Sequence, residues 1–260
     1  MIPYPNIDPV IIRIGPLAVR WYGVMYLIGF TSSYFLVLRQ IKKRGLVFRP
    51  DFVDSLYSYL ILGLLVGARL GYVVFYDLAE YLRNPLEIFA LWHGGMSFHG
   101  GLIGSIVSGI FFCKKSRVDF WQVSDLVIVT APIGLAFGRL GNFINGELYG
   151  RVTTMPWGMV FPTGGPLPRH PSQLYEFFLE GVVLFTVLWI VKDRGFRTGV
   201  LTSLFLLLYG IFRFMLEFFR EPDVQLGYIL GPFTMGQILS GSMIAAGILI
   251  LLFRKRRRPL

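Results

Sequence analysis

Residues Gly138 to Arg151 read G-R-L-G-N-F-I-N-G-E-L-Y-G-R, with two arginines, two asparagines, a glutamate and four glycines in fourteen positions. The stretch stands between two segments apolar enough to live in a lipid bilayer. A solvated loop does not need glycines alternating with phenylalanine, isoleucine and leucine, and a buried helix does not carry this much charge. A membrane-edge segment whose backbone folds closely around an anionic group needs both.

Composition agrees with a bilayer setting. The chain is 54% hydrophobic, 16% aromatic and only 15% charged, with a mean hydropathy of +0.61, whereas soluble domains are about 25% charged. Its 260 residues hold roughly seven spans of about 20 residues with short connections. The expected fold is all-α: a polytopic integral membrane protein of about seven transmembrane helices. The net charge of +10 sits in short clusters between apolar runs, so it signals topology rather than nucleic acid. One cysteine excludes an internal disulfide framework and multi-cysteine metal sites. No internal repeat of the transporter kind is visible.

Outward from the opening stretch, the expected spans are residues 21–38, 55–76, 97–113, 120–137, 171–191, 198–219 and 233–253. Only Arg13 and Arg20 precede the first, whereas Arg39, Lys42, Lys43, Arg44 and Arg49 follow it, the reverse of a signal peptide. Gly63, Gly67 and Gly71 recur every fourth residue in the second span, a face suited to close helix contact. Residues 77–96 and 139–170 are expected as outer-face connections of one membrane-embedded domain, 1–260, with a basic cytoplasmic tail at 254–260. In this arrangement sixteen lysines and arginines fall on inner loops and tail and seven on outer segments, with Arg69 and Arg213 inside spans. That asymmetry predicts an outside N-terminus and an inside C-terminus.

Topology then sorts the polar residues. His93, His99 and His170, the opening stretch, Arg69 and the polar end of the sixth span all face outward. In that span Tyr209, Arg213, Glu217 and Arg220 follow at i, i+4, i+8 and i+11 and share one helical face. Ionisable groups in a membrane segment face a partner or a wet cavity, so Arg213 and Glu217 read either as a pair joining helices or as part of a site. His99, flanked by Gly100 and Gly101, is either a polar helix cap or an approachable imidazole able to accept a thiol proton. Arg139 is either an interface anchor or, with Arg213, a guanidinium fork for phosphate, with Asn142, Asn145 and glycine amides completing the cradle. Cys113, at the inner end of its span, reads as a buried structural thiol. No metal-ligand spacing and no serine-nucleophile motif occurs, so a reacting nucleophile has to arrive with the substrate. The C-terminal Arg254, Lys255, Arg256, Arg257 and Arg258 serve topology and anionic-lipid contact.

Four motifs carry a family resemblance: H-G-G-M-S-F-H-G-G-L-I-G, the opening stretch, L-P-R-H-P-S-Q-L-Y-E, and Y-G-I-F-R-F-M-L-E-F-F-R-E-P-D. Together they resemble bacterial prolipoprotein diacylglyceryl transferase, and the likeness runs from D-P-V-I-I-R-I-G-P through M-G-Q-I-L-S. The resemblance implies a seven-helix enzyme of the bacterial inner membrane working at the periplasmic face. Its expected partners are phosphatidylglycerol, the bilayer, and preprolipoprotein signal peptides bearing a lipobox cysteine, with no nucleic acid and no metal or organic cofactor. Its expected reaction moves diacylglyceryl onto the cysteine thiol and releases glycerol phosphate. By motif, His99 is the catalytic histidine and Arg139 binds phosphatidylglycerol. Asn142, Glu147 and Gly150 match further signature positions, and Tyr22 and Arg213 match a tyrosine and an arginine implicated in activity. Tyr209, Glu217 and Arg220 join the substrate-binding set, and His93 is given no role. A transporter or a non-catalytic receptor for an anionic lipid or lipoprotein precursor stays open as an alternative. The inner halves of the spans are mostly plain apolar, which speaks against a transport path.

Overall fold

The computed structural model describes residues 2–5, 7–15, 17–90, 94–221 and 228–255. His93 and Arg256, Arg257 and Arg258 lie outside the described residues. The chain divides into two compact units, Met1–Val37 with Ser124–Leu260, and Leu38–Val123.

The Leu38–Val123 unit is built on α2 (Phe52–Tyr76) and α4 (Phe98–Ser116), packed along each other and joined by the short α3 (Leu78–Arg83) and a 3-10 turn at Pro85–Phe89. Small residues set the approach: a Cβ on Gly67 would fall 2.8 Å from Gly104 Cα, so only glycine lets the two backbones meet here. Phe52, Phe112 and Cys113 are buried at one end. At the other, Ser97 accepts a bond from Gly100 N at 3.2 Å and caps α4. There the buried Arg69 donates to the carbonyls of Ile88 at 2.9 Å and Gly95 at 3.0 Å, and lies 5.1 Å from the Tyr81 ring. Arg69 therefore clamps a folded connection.

The other unit opens with the antiparallel hairpin of β1 (Val10–Ile14) and β2 (Leu17–Arg20), turned at Gly15, and runs straight into α1 (Trp21–Lys43). A second hairpin, β3 (Tyr228–Leu230) with β4 (Phe233–Thr234), precedes α10 (Met235–Lys255). These four short strands depart from the all-α expectation, and glycines at positive φ, Gly15 and Gly231, make their turns. Between the hairpins lie α5 (Phe120–Ile128), α6 (Ala131–Ile144), and one continuous helix made of α7 (Ser172–Glu176), a π-helical segment (Phe177–Val183) and α8 (Leu184–Val191), followed by α9 (Val200–Leu216). Val129, Leu184, Leu188, Leu201 and Phe205 form their apolar core. The buried Asp125 accepts from Gly199 N, Thr202 N and Thr202 Oγ1 at 2.7–2.8 Å and so caps α9 from outside it.

Among the described residues, four helices are long and apolar enough to cross a bilayer: Trp21–Lys43, Phe52–Tyr76, Ser172–Val191 and Met235–Arg254. The pair α5 and α6, bent by 43°, passes the same test when the two are taken together as one broken span. Exposed Leu62, Leu70 and Phe75 on α2 present apolar surface that a bilayer solvates and water does not. Of the seven expected spans, the third and sixth are helices that fall short of this test: α4 holds four glycines and ends in Lys114 and Lys115, and α9 has 17 residues. The opening stretch is also corrected. Gly138 to Ile144 are helical, the last half of α6, so their amides bond within the helix rather than surround an anion. A prolyl residue at the helix start, Pro132, favours α6 beginning there, and the loop starts only at Asn145.

Candidate active site

The site is assembled from four segments of one unit. α6 supplies Arg139; α7 and the π-helical segment supply Glu176 and Glu180; α9 supplies Tyr209 and Arg213; the turn after α9 supplies Glu217 and Arg220. Glu176 and Glu180 are four residues apart, so both carboxylates project from one face, and both are wholly buried. A buried carboxylate is tolerable only beside cations, and here three converge. Arg139 Nε lies 3.0 Å from Glu176 Oε2, and its Nη2 3.6 Å from Glu180 Oε2. Arg213 donates to Glu176 Oε1 and its Nη2 lies 2.7 Å from Glu217 Oε2. Arg220 Nη1 reaches to 3.5 Å from Glu176 Oε1. Glu217 is fixed from its far side by Thr234 Oγ1, which donates at 2.9 Å, and by Gly236, where a Cβ would fall 2.5 Å from Glu217 Oε1.

A polar group on the last turn of α6 and the loop after it adjoins this cluster in sequence. Asn142 and Asn145 both donate from Nδ2 to Glu147 Oε1, at 2.9 and 3.1 Å. Gln173 Nε2 donates to Glu147 O at 2.6 Å, tying the turn to α7. Positive φ at Gly146 and Leu148 sharpens the turn between them. Tyr22, at the start of α1, packs its ring over Gly141, where a Cβ would stand 2.9 Å from Cδ2, and its hydroxyl meets that of Tyr26 at 3.1 Å. The stretch then closes on α9: Gly150 bridges to Arg220, Arg151 N donates to Phe219 O at 2.9 Å, and Arg151 Nε donates to Arg220 O at 2.9 Å. A side chain at Gly150 would strike His170 Cβ at 2.7 Å, so glycine is needed there for backbone approach.

Of the residues singled out from sequence, Arg139, Arg213, Glu217 and Arg220 are brought into one ion cluster, with the Tyr209 phenol beside it. Asn142 and Glu147 bond to each other, and Gly150 joins the two motifs by backbone alone. His99 is the second residue of α4 in the other unit, exposed, with its ring 5.7 Å from that of Phe98. Glu176 and Glu180 were not singled out. Their signal was two acidic residues four apart inside an otherwise apolar span, which by the cost of membrane charges calls for partners. Chemically, the cluster offers planar, permanently charged forks suited to a phosphate, held in place by carboxylates that neutralise them.

Comparison with known proteins gives the family of the chain. A model of the family described as prolipoprotein diacylglyceryl transferase matches residues 9–253. Among similar proteins, the phosphatidylglycerol–prolipoprotein diacylglyceryl transferase of Desulfotalea psychrophila is 54% identical over 96% of this chain and 94% of its own. Those of Geobacter sulfurreducens and Coxiella burnetii (strain RSA 331 / Henzerling II) are 51% and 54% identical, covering 98% and 95% of both chains respectively.

Proposed function

The chain belongs to the prolipoprotein diacylglyceryl transferase family, and from that premise we propose that it is a phospholipid-dependent transferase. It moves the diacylglyceryl group of phosphatidylglycerol to the lipobox cysteine thiol of a preprolipoprotein. The observation that carries the assignment of roles is the convergence of Arg139, Arg213 and Arg220 on two buried glutamates within apolar helices. Such guanidinium groups keep their charge when poorly solvated and match phosphate oxygens two at a time.

In this reading the lipid enters sideways from the bilayer and Arg139 and Arg213 hold its phosphate. The substrate's signal helix presents the thiol, and His99 assists removal of its proton. The thiolate attacks the glyceryl carbon; a C–S bond forms, the C–O bond to phosphate breaks, and the electron pair leaves on the phosphate oxygen of glycerol phosphate. Cationic groups aimed at that oxygen stabilise the charge as it develops. The acyl esters stay intact. Asn142, Glu147, Gly150 and Tyr22 shape the lipid site, and Tyr209, Glu217 and Arg220 complete its wall.

The single membrane domain has seven spans, the bent and short helices included, with its N-terminus outside, its basic tail inside and its site toward the periplasmic face of the bacterial inner membrane. The excess of lysine and arginine on the inferred inner loops supports this orientation. The experiment combines purified protein, phosphatidylglycerol and a lipobox peptide. Thioether product and glycerol phosphate are expected from the wild type, and neither from His99→Gln or Arg139→Ala. Unchanged product from both variants would reject the roles, and an inactive wild type would reject the function.

A further inference from the structure

The two wholly buried glutamates of the cluster are not held alike. Glu176 is approached by Arg139, Arg213 and Arg220. Glu180 accepts a hydrogen bond at neither oxygen, although both are buried. Its nearest guanidinium nitrogens are Arg139 Nη2 at 3.6 Å and Arg213 Nη1 at 3.9 Å. The other charged or titratable groups that face it are Glu176 on its own helix, Tyr209 on α9, and Arg220. With the arginines and glutamates ionised and Tyr209 a neutral phenol, Arg139, Arg213 and Arg220 are balanced by Glu176, Glu180 and Glu217, so the cluster is neutral.

A lipid phosphodiester is a permanent monoanion. Placed against this neutral set, it leaves one uncompensated negative charge where solvent is scarce, which is unfavourable unless a group changes its protonation. The carboxyl that gives up least by accepting a proton is the one whose oxygens accept no hydrogen bond. The two guanidinium groups within 4 Å of it are also the two drawn toward the incoming phosphate, whereas Glu176 keeps Arg220 besides. We propose that Glu180 is a positioning residue of the phosphate site, taking up one proton when the lipid phosphodiester engages Arg139 and Arg213 and returning it to solvent when the phosphate departs. The proposal rests on the reading that these two arginines bind the lipid phosphate. It assigns Glu180 no contact with the reacting carbon or sulfur.

The test is a calorimetric titration of the detergent-solubilised full chain with a short-chain phosphatidylglycerol, near pH 7, in two buffers of different ionisation enthalpy. Uptake of about one proton per lipid is expected for the wild type and close to none for Glu180→Gln, which carries the neutral form at all pH. In transfer assays the wild-type KM for the lipid should climb up to about tenfold per pH unit over the range where the proton is lost, and the Glu180→Gln KM should stay flat. Lipid binding by the wild type without proton uptake overturns the proposal, as does equal uptake by Glu180→Gln. The wild-type titration decides by itself if the variant does not fold. Transfer to a lipobox peptide, measured on the same preparation, separates the two readings. Transfer without proton uptake removes only the role of Glu180, whereas no transfer to any such peptide removes the transferase reading.

Discussion

Arg139 Nε stands 3.0 Å from Glu176 Oε2, and that carboxylate belongs to a side chain with no exposed surface. The arginine assigned to the lipid phosphate is thus also the counter-ion of a buried glutamate. One substitution therefore removes two things.

For Arg139→Ala the expected outcome is loss of transfer together with a stability loss of about 3–5 kcal/mol, the usual cost of stranding a buried charge. Arg139→Ala with Glu176→Gln should regain most of that stability and none of the activity. Thermal unfolding in detergent beside the transfer assay checks both. A double variant as unstable as the single one would show that Arg139 does not serve Glu176.

Gly236→Ala probes the support behind Glu217. The new methyl carbon would sit 2.5 Å from Glu217 Oε1, closer than a carbon and an oxygen can pack, so the carboxylate must shift from its 2.7 Å contact with Arg213. We expect transfer to fall about tenfold, equal to about 1.4 kcal/mol, with a KM change for the lipid rather than for the peptide. Equal changes in both constants would point to a general loosening of α10.

Much of this was legible in the sequence. The i, i+4, i+8, i+11 spacing placed Tyr209, Arg213, Glu217 and Arg220 on one face, and α9 with the turn after it brings Arg213, Glu217 and Arg220 into a common cluster. Arg139 stood out because charge in an apolar segment must have a reason. Glu176 and Glu180 did not stand out, because periodicity assigns a face but not the helix opposite it. The glycines of Gly138 to Arg151 misled for a related reason. A glycine that admits a neighbouring ring, as Gly141 admits Tyr22, looks the same in sequence as one that bends a loop, as Gly146 does. The work of Arg69 was equally hidden, since its partners are backbone carbonyls that leave no mark in the sequence.

Asp125→Ala tests a contact at the opposite end of α9 from Arg213. Asp125 accepts from Gly199 N at 2.7 Å and Thr202 N at 2.8 Å, so its loss leaves the first turn of α9 uncapped. A loss of about 1–3 kcal/mol in unfolding free energy is expected, with kcat near wild type at temperatures where the variant stays folded. Unfolding curves that superimpose on the wild type would refute the capping role.

His170 gives a pH dependence of known sign. Its Nδ1 lies 3.0 Å from Tyr175 OH, which also accepts from Trp157 Nε1 at 2.7 Å, and partial burial holds the imidazole below its ordinary pKa. The folded protein then binds fewer protons at this site than the unfolded chain, so stability is lost as pH falls through the ordinary histidine range near ~6.5. Between about pH 7.5 and 5.5 the unfolding midpoint should drop less in His170→Gln than in the wild type, by on the order of one degree for so accessible a ring. Parallel pH profiles would exclude His170 as the source.

The bridge between Gly150 and Arg220 carries a lesson for transplanting parts of this protein. The loop after α6 and the turn after α9 are stitched by Arg151 N to Phe219 O and Arg151 Nε to Arg220 O, so each takes part of its shape from the other. A chimera that exchanges residues 138–151 with those of a distant relative inherits a mismatched seam unless residues 217–221 travel with them. The two segments, more than sixty positions apart, are in effect a single cassette.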